Sequence, residues 1–231
     1  MFLIPNVIAE QTHHRVITSQ CREVLPGIRH FLAEDVRTAR RFLSSLKVYD
    51  TIESLHFSVL DKDTVAANVD ELMRPAHEGF DVGVISESGC PGVADPGALA
   101  VHYCHRHKIQ VVPLVGPSSL LLALMASGLN GQKFAFHGYL PIDSKELSRQ
   151  VKHLEEESRK NQQTQIIIET PFRNNQVLKS LTNTLGPATD LCIALDITGS
   201  DESIKTRTVR EWRMQSIEIP KKPAVYLFLA H

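Results

Sequence analysis

Residues 82–97 read VGVISESGCPGVADPG, an apolar run followed by three glycines and two prolines within twelve residues. The run Val82–Ile85 predicts a buried parallel strand, and Pro96–His107 predicts a helix behind it. A plain strand-to-helix connection takes about two to six residues. A loop of this length therefore favours a ligand site. Ligands bind beyond the carboxyl ends of parallel strands, where glycine lets the backbone approach them closely. The alternative is an ordered loop in which Asp95 only caps the helix.

The same alternation of apolar runs and helix-length polar stretches extends along the whole chain, which indicates an α/β fold. In the first half we predict further parallel strands at Phe2–Ile4, Phe31–Ala33 and Ile109–Leu114, and a helical stretch over Thr64–Glu78. The strands predicted in the second half are Phe134–His137, Gln165–Ile168, Leu191–Leu195, Ser203–Val209 and Ala224–Ala230.

Two lobes are predicted from these elements. No helix-sized spacer separates Leu195 from Trp212, so two later strands are expected to pair antiparallel. We therefore expect a parallel-sheet α/β domain over residues 1–116 and a mixed-sheet α/β domain over residues 117–231, divided at the Gly116-Pro117 break.

Helix boundaries in the second half follow from capping signals. The D-x-x-E pattern from Asp143 to Glu146 predicts a helix that continues to about Glu157. Thr170 before Pro171 predicts the N-cap of a second helix. Gly186 suits the far end of that helix.

Composition indicates an ordinary globular protein. Of 231 residues, 42% are hydrophobic and 22% charged, and 25 basic against 26 acidic side chains give a net charge of −1. This balance argues against a large phosphate-tracking surface. Four scattered cysteines indicate a reduced intracellular chain. With no secretory signal and no apolar stretch of membrane-spanning length, we expect a cytoplasmic protein without membrane contact.

A second candidate binding loop is Gly116-Pro117-Ser118-Ser119, between the predicted strand Ile109–Leu114 and an apolar helix. Proline in the first helical turn would leave the two serine amides available to a polar ligand. Simple capping of a buried helix explains the loop equally well. Neither glycine loop carries the patterns that bind nucleoside triphosphates or dinucleotides, so the ligand is expected to need few phosphate contacts.

Other candidate residues are weaker. Glu34, Asp35 and Arg37 follow the predicted strand Phe31–Ala33 and could orient a hydroxyl substrate, although spacing favours Asp35 as a helix cap. The histidines around Cys104 lack the ligand spacing of a metal site, and we predict no metal. The second half offers the strand ends Ile168–Arg173 and Asp196–Glu202, which a capped helix and a hairpin explain.

The sequence resembles the tetrapyrrole (corrin/porphyrin) methylase superfamily. The most specific match is VGVISESGCPGVADPGALAVHYCHRHKIQVVPLVGPSSLLLALMASGL (82–129), followed by FAFHGYLP (134–141). Weaker similarities are AEDVRTARRFL (33–43), IIIETPFR (166–173), LDITGSDESI (195–204) and PKKPAVYLFL (220–229). They are most similar to the branch related to ribosomal RNA small subunit methyltransferase I, which methylates a ribose 2′-hydroxyl.

The resemblance implies S-adenosylmethionine bound in a cleft between two α/β lobes, usually in a homodimer. It assigns one wall of the cofactor pocket to Ser86, Glu87, Ser88 and Gly89 with Asp95 and Pro96. A second wall comes from Gly116, Pro117, Ser118 and Ser119, while Leu140, Pro141, Pro223 and Ala224 frame the adenine. Glu34 and Asp35 become the candidate catalytic carboxylates, and Arg37 a contact to substrate phosphate.

Two features depart from the family pattern. The ribosomal branch carries G-x-P-x-G-N after its first strand, whereas this chain has Ile4-Pro5-Asn6-Val7-Ile8-Ala9. We also expect the C-terminal segment of the longer ribosomal enzymes to be missing, so RNA docking should differ or be absent. The leading hypothesis is 2′-O-methylation of ribosomal RNA. A tetrapyrrole acceptor and a cofactor-binding protein with little transferase activity are the alternatives.

Overall fold

A computed structural model describes residues 1–215 and 218–231 of the chain. It contains two compact units, Met1–Ser118 and Ser119–His231. The predicted boundary follows Gly116, and the division in the structure follows Ser118.

The first unit is built on a five-stranded sheet in the order β3-β2-β4-β1-β5. Every strand pair in it is parallel, as the sequence predicts. The strands are β1 (Phe2–Ile4), β2 (His30–Ala33), β3 (His56–Val59), β4 (Val82–Ile85) and β5 (Val112–Pro113). The helices are α1 (His13–Val16), α2 (Ser19–Val24), α3 (Val36–Leu46), α4 (Val69–Leu72), α5 (Arg74–His77) and α6 (Gly97–Arg106), with 3₁₀ turns at Leu25–Gly27 and Ala66–Asn68.

Apolar side chains on both faces of this sheet hold the first unit together. Successive strand residues point to opposite faces, so Phe31 packs into one hydrophobic cluster and Leu32 into the other. Each of the four residues of β4 is buried. Burial on both faces is why this strand reads as a continuous apolar run.

Three sequence predictions for the first unit need correction. The predicted strand Ile109–Leu114 shrinks to β5, a two-residue strand at the edge of the sheet. The predicted helical stretch Thr64–Glu78 is divided into a 3₁₀ turn and the short helices α4 and α5, since Pro75 cannot donate the amide hydrogen bond that a continuous helix needs. The edge strand β3 was not predicted, because it is largely exposed and lacks an apolar run.

The second unit contains a mixed sheet in the order β6-β7-β10-β8-β9, which confirms the predicted class. Among the described strands of this unit, β6 and β7 alone pair parallel, and β8 and β9 form the predicted antiparallel pair. Its strands are β6 (Phe134–Tyr139), β7 (Thr164–Glu169), β8 (Asp190–Leu195), β9 (Ser203–Thr208) and β10 (Ala224–Leu229). Its helices are α7 (Ser119–Ser127), α8 (Ser144–Asn161), α9 (Asn174–Thr184) and α10 (Val209–Arg213).

Of the two helix starts predicted in the second unit, one is correct and one is wrong. Asp143 caps α8 by accepting hydrogen bonds from the amides of Lys145 and Glu146, although the helix continues beyond Glu157 to Asn161. The predicted N-cap at Thr170 is wrong, because α9 has Arg173 as its N-cap.

The reason is a turn that precedes the helix. Glu169 Oε1 accepts from both the amide and the hydroxyl of Thr170, at 2.7 and 3.3 Å, and the Arg173 amide donates to the Thr170 carbonyl. Pro171 therefore occupies the second position of a turn, which its fixed φ also suits. The helix ends at Thr184, before Gly186, as predicted.

Candidate functional site

The glycine-rich loop over residues 86–97 begins at the carboxyl end of β4 and is tied to the end of β1. Asn6, which follows β1, donates from Nδ2 to the carbonyls of Ser86 and Glu87 at 2.9 and 3.1 Å. Its backbone amide donates to the carbonyl of Gly89 at 2.9 Å. Within the loop, the Ser86 hydroxyl donates to the Ser88 carbonyl at 2.8 Å. The first predicted site segment is therefore an ordered loop beside β1.

The second predicted loop, around Gly116, packs against the same part of the first unit. A Cβ built on Gly116 would lie 2.1 Å from Cβ of Pro5, so only glycine fits beside this proline. The Cys90 thiol donates to the Pro117 carbonyl at 3.3 Å, and burial raises the pKa of this thiol. Gly116 and Pro117 are thus next to the glycine-rich loop, as expected for strand ends at one edge of a parallel sheet.

Asp95 orders the far end of the glycine-rich loop. Its Oδ1 accepts from the amides of Gly92 and Gly97, at 2.9 and 2.7 Å. Gly92 and Ala94 both have positive φ, at 81° and 54°, and alanine rarely adopts this conformation. The Asp95 carboxylate therefore stabilises a backbone path that the residues would not choose alone.

We predict that Asp95→Ala weakens S-adenosylmethionine binding at least tenfold, about 1.4 kcal/mol, because the loop loses the acceptor for two amides. Isothermal titration calorimetry measures the change. The alternative role of Asp95 as the cap of α6 is wrong, because Pro96 is the N-cap of that helix. Thr208→Ala is the control, since the Thr208 side chain accepts from a backbone amide as the N-cap of α10 in the second unit. The control should lose about 1 kcal/mol of stability and keep its affinity. Equal affinities for Asp95→Ala and wild type would contradict the site assignment.

The pKa values of the two candidate catalytic carboxyls are shifted in opposite directions. Asp35 is the N-cap of α3: its Oδ1 accepts from the Thr38 amide at 2.5 Å, and this hydrogen bond lowers the pKa of its carboxyl. The capping interpretation of Asp35 is thereby confirmed. Burial and the nearby carboxylates of Glu87 and Asp95 raise the pKa of Glu34. Arg37 is exposed in the first turn of α3.

Charge in this part of the first unit is negative. The stretch 86–97 contains two carboxylates and no lysine, arginine or histidine. This stretch therefore has no cationic side chain to pair with a pyrophosphate, whereas its carboxylates could pair with a positively charged group of a ligand. S-adenosylmethionine carries a sulfonium and an ammonium group, so the residues present fit this cofactor.

The candidate residues of the second unit lie where β7 and β8 end and β10 begins, at one end of the strands of the mixed sheet. Glu169 ends β7, where it lies opposite Ala224, the first residue of β10. Its side chain is 1% exposed and forms an ion pair with Arg173 at 3.3 Å. Arg173 donates to the carbonyls of Leu140 and Pro141, at 3.2 and 2.8 Å.

The carboxyl end of β8 lies at the same end of the strands. The Asp196 amide donates to the Pro223 carbonyl at 3.2 Å, and the Asp196 carboxylate pairs with Lys222 at 3.1 Å. Thr198 has a φ of 68°, which is unusual for a branched side chain. Leu140, Pro141, Pro223 and Ala224 are therefore gathered at the ends of β6 and β10.

The sequence did not single out Pro5, Asn6 and Arg173 as organisers of these loops. A proline-asparagine pair at the end of an apolar strand is the sequence signal that could have pointed to Asn6, whose side chain the structure leaves only 2% exposed. Of the predicted residues, Ser118 closes the first unit and Ser119 is the first residue of α7 in the second.

Metal-binding groups and membrane-spanning helices are both absent from residues 1–215 and 218–231. No group of three or more His, Cys, Asp or Glu side chains in these ranges could hold a metal ion. Cys104 is buried, with its thiol 3.4 Å from the sulfur of Met1. In the same ranges, a helix with the length and apolar character needed to cross a membrane is not found.

Proteins of known name match most of this chain in sequence. Ribosomal RNA small subunit methyltransferase I of Vibrio cholerae is 29% identical over 195 residues, covering 84% of this chain and 65% of the relative. The Haemophilus influenzae protein of the same name is 29% identical over 206 residues, covering 89% and 70%. The chain thus spans about two thirds of the length of these relatives.

Solved structures show the same fold. The methyltransferase CobJ matches with a TM-score of 0.60 and 17% identity, covering 93% of this chain and 88% of that one. Uroporphyrin-III-C-methyltransferase from Thermus thermophilus matches with a TM-score of 0.56 and 17% identity, covering 99% and 90%. The two-unit α/β fold is therefore one that methyltransferases share. The chain belongs to the Tetrapyrrole (Corrin/Porphyrin) Methylases, whose family model matches residues 11–212.

Proposed function

We propose that this protein transfers the methyl group of S-adenosylmethionine to a ribose 2′-hydroxyl of ribosomal RNA. The choice of ribosomal RNA as the methyl acceptor rests on the similarity to relatives named ribosomal RNA small subunit methyltransferase I. For the Vibrio cholerae protein, this similarity extends over 84% of the chain. A tetrapyrrole acceptor and cofactor binding with little methyl transfer are the competing possibilities.

In this proposal the loops of the first unit hold the cofactor. The 86–89 loop and Asp95 supply backbone amides and carboxylate oxygens, and Gly116-Pro117 with Ser118 and Ser119 supplies the second wall. S-adenosylmethionine contributes a methyl group on a sulfonium, which is already a good leaving group. The main task of the protein is then to align the acceptor oxygen with that methyl group.

Glu34 is proposed as the base that receives the hydroxyl proton. A carboxyl with a raised pKa accepts a proton near neutral pH more readily than an ordinary one. Asp35 is less suited, because its Oδ1 is engaged by the Thr38 amide and the pKa of its carboxyl is lowered. Exposed Arg37, in the first turn of α3, is proposed to contact a phosphate of the RNA.

Leu140, Pro141, Pro223 and Ala224 are proposed to frame the adenine. The support for this role is that hydrogen bonds from Arg173 and Asp196 order their backbones at one end of the strands. Each ordered carbonyl has a second lone pair, with which it can accept a hydrogen bond from a flat base without charged side chains.

The proposal is tested in two steps. Calorimetry first measures binding of S-adenosylmethionine to the wild-type chain, with micromolar affinity expected. Methyl-labelled cofactor is then incubated with small ribosomal subunits, extracted RNA and a porphyrinogen. Label is expected in RNA, in alkali-resistant dinucleotides that mark 2′-O-methylation. Label in the porphyrinogen, or binding without label in any fraction, would support one of the two competing functions instead.

The resemblance also predicts a cytoplasmic homodimer. Light scattering on the purified chain should give twice the monomer mass of 25.8 kDa. A monomer that still binds the cofactor would refute the dimer and leave the proposed reaction standing.

A further inference from the structure

Asn6 holds the glycine-rich loop through three hydrogen bonds, although the family's glycines are missing from its segment. Its side-chain oxygen accepts from the Val7 amide at 2.7 Å, which fixes the orientation of the carboxamide. The Nδ2 group is thereby directed at the carbonyls of Ser86 and Glu87, and the backbone amide at the carbonyl of Gly89. At 2% exposure this arrangement is shielded from water, so its hydrogen bonds do not compete with solvent.

These contacts decide which polar groups the loop presents. In a trans peptide the carbonyl and the following N–H point in opposite directions. With the carbonyls of Ser86 and Gly89 turned to Asn6, the N–H groups of Glu87 and Cys90 point away from it. The Ser88 carbonyl is engaged by the Ser86 hydroxyl at 2.8 Å. The Ser88 N–H already donates to the Ser86 hydroxyl at 3.2 Å. The donors that the loop turns away from Asn6 are therefore the N–H groups of Glu87 and Cys90.

We infer that Asn6 is a positioning residue: it orients the peptide groups of the loop so that the N–H groups of Glu87 and Cys90 can bind acceptor atoms of S-adenosylmethionine. The inference rests on the proposed function, because it assumes that this loop binds the cofactor. The carboxamide is the required group, since it combines two donors for the loop with one acceptor for Val7. Aspartate has the same shape and lacks both donors.

The decisive variant is Asn6→Asp, which puts an oxygen in place of the donor that faces the Ser86 and Glu87 carbonyls. We expect S-adenosylmethionine affinity to fall at least tenfold at pH 8 by calorimetry. As the pH is lowered towards 5, the new carboxyl gains a proton and can donate again, so the affinity ratio to wild type should narrow. A purely structural defect would not show this partial rescue in variants of equal folded fraction.

The matched control is Asn175→Asp in the second unit. Asn175 also brackets the backbone, donating from Nδ2 to the Ile219 carbonyl at 3.1 Å and accepting from the Ile219 amide at 2.8 Å. Its replacement should lower stability and leave affinity within about twofold of wild type.

Hydrogen exchange without cofactor provides an independent measurement. Exchange of the amides from Glu87 to Cys90 should become faster in Asn6→Asp, while amides of β7 stay protected. If wild type binds the cofactor and Asn6→Asp binds it equally well with unchanged exchange, the role of Asn6 is refuted and the proposed function stands. If wild type binds no cofactor, both are refuted.

Discussion

Gly116→Val is expected to lower the free energy of unfolding by about 3 kcal/mol and to weaken S-adenosylmethionine binding more than tenfold. The reason is steric, because the new Cβ would lie 2.1 Å from Cβ and 2.3 Å from Cγ of Pro5. The Pro5 ring is buried and rigid, so the backbone of one segment must shift. Either shift separates Gly116 from the segment that carries Asn6. Urea unfolding and calorimetry measure the two effects.

Two further variants isolate this contact. Gly27→Val is the control, because no atom lies within 4 Å of a Cβ at Gly27, and it should change both quantities little. Pro5→Gly combined with Gly116→Ala should recover part of the stability that Gly116→Ala alone loses, since the proline ring no longer opposes the new methyl group. Additive effects in this double-mutant cycle would show that the contact is unimportant.

The strands that were predicted well are buried strands, because burial requires a run of apolar residues that is visible in the local sequence. β4 is buried on both faces and therefore appears as an uninterrupted apolar run. β3 is an exposed edge strand whose position depends on pairing with β2, so no local pattern reveals it. The short helices at residues 69–77 replace a predicted longer one because backbone geometry at Pro75 outweighs side-chain periodicity.

The candidate site was predictable where backbone conformation requires particular residue types. Glycines and prolines marked the loops at 86–97 and 116–119, because few other residues fit such turns. The contacts of Asn6 join residues 80 or more positions apart in sequence, and no spacing rule connects them. The raised pKa of Glu34 depends on burial and on Glu87 and Asp95, which are distant in sequence, so no local pattern reveals it. The lowered pKa of Asp35 follows from the local capping hydrogen bond with Thr38, which the spacing already favoured.

Arg173 illustrates the same limit in the second unit. The sequence suggested a capped helix at Thr170, and a capped helix would require nothing of this arginine. In the structure, the ion pair with buried Glu169 directs the guanidinium to the Leu140 and Pro141 carbonyls. A side chain with five donors in a fixed plane can satisfy several acceptors at once, which explains an arginine here.

Glu34→Gln is expected to lower kcat for methyl transfer about a hundredfold at neutral pH, because glutamine cannot receive the acceptor proton. In wild type, kcat should rise with pH through the raised pKa of Glu34 and then level off. The variant should lack this rise. Rates with saturating cofactor and labelled RNA, measured from pH 5 to 9, provide the test. Glu53→Gln is the control, an exposed carboxyl whose hydrogen bond to Thr51 lowers its pKa, and it should keep the rise.

Stability should change in the opposite direction to activity. Because the folded state raises the pKa of Glu34, it binds this proton more tightly than the unfolded chain does, and stability from this group is lost as the pH rises through the folded pKa. Above that pKa the wild type holds a partly buried carboxylate beside Glu87 and Asp95, and glutamine removes the repulsion. Glu34→Gln should therefore resist urea better than wild type at pH 8 and lose that advantage at pH 4. A variant that is less stable at pH 8 would mean that Glu34 is a structural residue, and a normal kcat would exclude it as the base.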